Sequence, residues 1–111
     1  MIDTHPPLPY FAVIFTSVQG EHDPKYLETN DLLMGKAKDI KGFIGVESAR
    51  NELGITVSYW KSLDSIAEWK SQTDHLLAQE KGRDQWYDRY RVRVCKVERD
   101  YEFKKDRGYV R

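Results

Sequence analysis

The chain has 111 residues, 40% hydrophobic and 13% aromatic, and carries 18 Lys plus Arg against 18 Asp plus Glu. That length fits one domain with a modest core, and a net charge near zero excludes bulk electrostatic attraction to nucleic acid or an anionic membrane. A single cysteine, Cys95, excludes an intrachain disulfide and a cysteine-based zinc site, which fits a reducing, cytoplasmic setting.

Residues 1–9 hold three of the four prolines and read as an extended arm. The arm has no basic region followed by a long apolar run, so no secretory signal is expected. No apolar stretch reaches membrane-spanning length. Tyr10 to Val18, YFAVIFTSV, is rich in β-branched and aromatic residues and predicts a strand covered on both faces. Asp23 and Pro24 suit a helix N-cap and first position. Tyr26, Leu33, Ala37 and Ile40 recur at helical spacing up to the stop at Gly42. Phe43 to Arg50 predicts a second strand, Asn51 to Gly54 a turn, and Ile55 to Trp60 a third strand, the pair forming a hairpin.

Ser62 is the expected N-cap of the next helix, with Asp64 in its first turn and Ile66 and Trp69 facing the core. Thr73 and Asp74 are both cap residues, so SQTD is expected to break that helix. A second segment would then carry Leu76, Leu77 and Ala78. RDQWYDRY, with Trp86 and Tyr87, predicts a short helix or turn. Tyr90 to Phe103 predicts a long final strand with a bulge near Val94 and Cys95, where the apolar phase changes. Residues 104–111 form a charged tail.

The order β-α-β-β-α-β predicts an α+β, ferredoxin-like domain over residues 10–103, with a four-stranded antiparallel sheet and helices on one face. Ile55, Val57 and Tyr59 would then leave an apolar patch on the other face. A second copy of the sheet is the expected cover, giving a homodimer.

GFIGVES, ITVSYWKSLDSIAEWK and YRVRVCKVER, in that order of elements, resemble the antibiotic biosynthesis monooxygenase superfamily. The resemblance covers residues 10–103. It implies a dimeric α/β barrel with a pocket between sheet and helices in each subunit, and oxygenase chemistry on an aromatic, polyphenolic or quinol-type molecule. Some members of the superfamily form quinones without a cofactor, and others degrade haem. The haem-degrading branch pairs a helix Trp with a His about three turns later and an Asn on the first strand. Trp69 matches the Trp, but Gln79 stands at the His position and the strand 10–18 has no Asn. The expectation is therefore no cofactor, with haem binding or degradation as one alternative and a non-catalytic dimeric binding module as another.

Phe15, Trp69, Trp86 and Tyr87 are the expected pocket wall. Trp60 is expected to be mainly structural. His75 is the candidate base, because a helix start would favour its neutral imidazole. Six residues after Trp69, it lies about 240° further round a continuous helix, so it joins the pocket only if SQTD breaks. Cys95 reads as a small buried hydrophobe. Arg91, Arg93, Lys96 and Arg99 read as a solvated edge or as partners in dimer salt bridges, interleaved with Glu98, Asp100 and Glu102 against nucleic-acid binding. No His lies at metal-ligand spacing from another ligand, so no metal site is expected.

Overall fold

The structure, a computed structural model, describes residues 2, 4–19, 34–80 and 87–105, and at 19, 76–80, 87 and 88 the backbone alone. Its elements are strand β1 (Tyr10–Gln19), a helical stretch α1 over residues 34–38, strands β2 (Phe43–Arg50) and β3 (Leu53–Trp60), helix α2 (Leu63–Glu80) and strand β4 (Tyr87–Val97). The sheet is antiparallel throughout, in the order β2-β3-β1-β4. This is the expected ferredoxin-like arrangement. The part of the first helix expected before residue 34, including Asp23 and Pro24, lies outside the described residues.

Strand register divides the side chains between two faces. Phe11, Val13, Phe15 and Ser17 of β1 pair with Trp60, Ser58, Thr56 and Gly54 of β3 and with Lys96, Val94, Val92 and Tyr90 of β4. This is the helix face. Its core joins Val13 and Trp60 to Ala37, Ile40 and Ile66, with Phe11, Phe43 and Trp69 packed alongside. The opposite face carries Tyr10, Ala12, Ile14, Thr16 and Val18, then Tyr59, Val57, Ile55 and Leu53 on β3, and Val97, Cys95, Arg93, Arg91 and Arg89 on β4.

The helix ends follow from local chemistry. The chain after α1 tightens through Ile40 N–H to Ala37 C=O and Phe43 N–H to Ile40 C=O, both 3.1 Å. Gly42 takes φ +102, a conformation that L residues with a Cβ rarely adopt. Ser62 caps α2 by accepting the Ser65 N–H at 3.1 Å, and Ser65 Oγ donates to Lys41 C=O at 2.7 Å. The two serines therefore bind the start of α2 to the turn that ends α1.

Three expectations are corrected. Helix α2 runs unbroken through SQTD. Asp74 does not cap; it pairs with Lys70 one turn back, at 2.6 Å. Strand β4 begins at Tyr87, whose backbone pairs opposite Gln19, so Tyr87 belongs to no helix or turn. The strand ends at Val97, not Phe103, and its pairing with β1 passes Val94 and Cys95 in even register, shifting only between Val18 and Gln19. The apolar phase changes there because Val94 faces the helix side while Cys95 and Val97 face Tyr10 and Ala12, and both faces are apolar at those levels. A shift that the sequence pattern hides falls instead between Phe43 and Gly45.

Residues 98–105 leave the sheet but stay tied to it. Tyr10 Oη donates to Asp100, and His5 Nε2 lies 3.6 Å from Glu102. The Ile2 side chain packs over Gly45, where a Cβ would overlap it. The N-terminal arm and the segment after β4 thus close one end of the face opposite the helices.

Candidate functional site

One end of the helix face is solid. Trp60 is 0% exposed. Its ring meets Phe43 edge-on at 5.2 Å and lies 5.4 Å from that of Trp69, and its Nε1–H donates to Ser58 Oγ at 2.9 Å. A buried indole with its one donor satisfied and aromatic neighbours on two sides has the surroundings of a packing residue.

Toward the other end the face becomes mixed. Phe15 is half-buried and stacks on Tyr90, with ring centroids 5.4 Å apart and planes 19° from parallel. Beyond it, Arg50 donates to the hydroxyl of Ser17, a side chain only 1% exposed. Gly54 stands between them in the register, and a Cβ there would strike the Arg50 guanidinium. The glycine opens a lane by which an arginine from an edge strand reaches a buried serine two strands away.

Helix α2 supplies the roof. It leads from the end of β3 back toward the start of β4, so it climbs from the Trp60 end toward the Phe15–Tyr90 end. Ile66, Trp69 and Thr73 recur at spacings of three and four, which is one helix face. Ile66 is buried and Trp69 and Thr73 are half-buried. Thr73 Oγ1 is buried with no hydrogen-bond partner. A buried orphan hydroxyl costs about 1–3 kcal/mol unless something satisfies it.

The structure thus puts Phe15 and Trp69 on facing layers of the same side of the sheet. Trp86 lies outside the described residues, and Tyr87 is described through its backbone alone. His75 is exposed on an unbroken helix, turned away from the side that carries Trp69. The helix break on which its role as a base depended is absent. Thr73, Tyr90 and the Ser17–Arg50 pair were missed from sequence. The signal for Tyr90 was present in the strict alternation of β4. A glycine inside β3 was the only mark of the Arg50 lane. Among the described residues no group of three His, Cys, Asp or Glu is placed to hold a metal, and no helix is long and apolar enough to cross a membrane.

Two tyrosines face the other side. Tyr59 Oη donates to Glu47 Oε1 at 2.7 Å, and its ring meets that of Tyr10 edge-on at 6.1 Å. The hydrogen bond to Asp100, then burial, push the Tyr10 phenol up to about 12. Burial, then the bond to Glu47, push Tyr59 up to about 12. Both remain neutral donors in ordinary solution and are unsuited to act as bases.

This sheet, with its helices on one side, is the fold of the antibiotic biosynthesis monooxygenases. The cofactor-independent oxygenase SnoaB from Streptomyces nogalater superposes with TM-score 0.63 at 8% identity, over 90% of this chain and 98% of that one. A putative antibiotic biosynthesis monooxygenase from Nitrosomonas europaea gives TM-score 0.62 at 11% identity, over 83% and 92%. By sequence, the chain belongs to the family of the Bacillus subtilis protein YqjZ, itself named as uncharacterized, with 50% identity over 103 residues that cover 91% of this chain and 90% of that one. It is also 34% identical over 92 residues to a protein named jasmonate monooxygenase ABM from Pyricularia oryzae, covering 78% of this chain but 43% of the fungal one. The chain thus spans less than half of that relative. No family model matches the chain.

Proposed function

We propose that the chain is a small oxygenase that takes an aromatic, polyphenolic or quinol-type molecule between sheet and helices, without a cofactor. The observation that carries this reading is the orphan Thr73 hydroxyl. It sits on the roof of the site, one turn beyond Trp69, on the side of the helix that faces the sheet. A substrate carbonyl or phenol oxygen there would satisfy it, and Phe15, Tyr90 and Trp69 would clasp the ring. The protein's contribution is to hold an electron-rich phenolate or hydroquinone anion dry beside dioxygen. His75 has no part in this. The name of the fungal relative and the oxygenase SnoaB support the reaction class. The test is Thr73→Val, which keeps shape and removes the hydroxyl. Stability should hold or rise, while affinity for a bound hydroquinone should fall about tenfold, the worth of one hydrogen bond to a buried group. Unchanged affinity and oxygen uptake would remove the basis of this reading.

The working form in this reading is a homodimer built through the face opposite the helices. Val18, Leu53 and Ile55 are exposed there beside half-buried Ile14 and Val57. A second copy offers the same apolar surface, and an obligate interface typically buries about 2,000 Å² or more. Sedimentation at low concentration should find dimers, and Ile55→Asp should give monomers or unfolded chain. A stable wild-type monomer would refute it.

A further inference from the structure

The face opposite the helices carries charge at its two edges and apolar side chains between them. Register places Glu47, Val57, Ile14 and Arg93 in one row across the sheet, one residue from each strand. All four project from this face. Glu47 stands on the edge strand β2 and Arg93 on the edge strand β4, with half-buried Val57 and Ile14 between them. The acid and the base are three strand spacings apart, about 14 Å at the backbone, too far to pair across the two apolar residues of one chain.

Such a row complements a second copy of itself, and it selects how that copy is turned. Two sheets packed face to face with aligned strands are related by a two-fold axis between them, directed either across the strands or along them. With the axis across the strands and centred on this row, each edge strand lies over its own copy. Arg93 then meets the partner's Arg93, and Glu47 meets the partner's Glu47. With the axis along the strands, midway between β3 and β1, β2 lies over the partner's β4. Val57 then meets the partner's Ile14, and Glu47 meets the partner's Arg93, twice over by symmetry. Facing sheets lie about 10 Å apart, a gap that an arginine and a glutamate reaching from either side close. Tyr59 donates to Glu47 Oε1 at 2.7 Å. Because a carboxylate accepts more than one hydrogen bond, that contact orients Glu47 without saturating it.

We propose that Glu47 and Arg93 fix the orientation of the dimer: each pairs with the other on the partner subunit, so that β2 of one copy lies over β4 of the second. The pairing rests on the dimer reading above and adds to it an axis and a contact. Burying two charges costs desolvation, so the pair contributes by excluding the like-charge arrangement more than by raising affinity.

Charge reversal tests this, with sedimentation of the full chain as the measurement. Arg93→Glu alone and Glu47→Arg alone each set like charges together at two symmetric places, and each should weaken the dimer about a hundredfold or more. The double variant Glu47→Arg, Arg93→Glu restores both pairs with their signs exchanged and should dimerise like the wild type. An equimolar mixture of the two single variants should form a heterodimer for the same reason. The wild type mixed with the double variant should form no mixed dimers, read by native mass spectrometry. Single reversals that leave a dimeric protein unchanged would overturn the pairing and leave the dimer itself standing. So would a double variant no better associated than the single ones, or mixed dimers of wild type and double variant, which the axis across the strands would favour. A monomeric wild type would remove the dimer reading and the pairing together.

Discussion

The two ends of the sheet are built from the same strands and differ in nearly everything else. At the Trp60 end both faces are closed, one by the Phe43–Trp60–Trp69 aromatics under α2, the other by Ile2, Tyr10 and Asp100. Among the described residues, the Ser17 end exposes side chains on both faces. One shows the Phe15–Tyr90 stack and the Arg50 lane; the other shows Arg89, Arg91 and Arg93 of β4. Thr73, the orphan donor, lies on the half of α2 nearer the open end. In the reading proposed above, stability and function are separated along the strands, and substitutions at the two ends should report on different properties.

The largest expected effect is at the closed end. Trp60→Ala removes a fully buried indole and leaves Ser58 without its donor, so it should cost about 3–5 kcal/mol in urea unfolding. A loss below about 1 kcal/mol, well under the range for a buried aromatic, would mean that the closed end is not the folding core.

A smaller effect sharpens the comparison on the other face. Tyr10→Phe removes the hydrogen bond to Asp100, and since Asp100 can turn to water the cost should be about 1 kcal/mol. The sign with pH is fixed. The Tyr10 phenol titrates near 10 when unfolded and about 12 when folded, so its contribution is complete below pH 10 and is lost as pH rises through 12. Tyr59 titrates in the same window in both proteins. The stability gap between wild type and Tyr10→Phe should therefore be flat to pH 10 and close toward pH 12. Urea midpoints across that range check it, and a gap that widens with pH would contradict the assigned hydrogen bond.

The closed end was legible in the sequence because it is written in alternation. Thr56, Ser58 and Trp60 against Ile55, Val57 and Tyr59 set the two faces of β3 with no tertiary information, and the helix spacing of Ile66 and Trp69 set the roof. The open end is written in contacts between distant residues. Arg50 reaches Ser17 across 33 positions, and only because Gly54 has no side chain. Thr73 was misread for a related reason. Its cap propensity is local, while continuity of α2 depends on the packing of Trp69 and on the Lys70–Asp74 pair across the supposed break. The alternating arginines of β4 were visible from sequence, and the structure leaves Arg89, Arg91 and Arg93 exposed.

The smallest expected effect is the most discriminating for the helix. His75→Ala should change stability by no more than about 0.5 kcal/mol, as for an exposed surface position, and should leave hydroquinone affinity and oxygen uptake unchanged. The reason is geometric. On an unbroken α2 the residue lies about 240° round from Trp69, and the ion pair between Lys70 and Asp74 spans the segment that would have to open to turn it inward. Oxygen uptake and calorimetry on the variant are the measurements. A loss of turnover in His75→Ala with stability intact would require α2 to break at SQTD when substrate enters. The boundary between closed and open ends would then run through the helix itself, and Thr73 would be a hinge instead of a ligand for substrate.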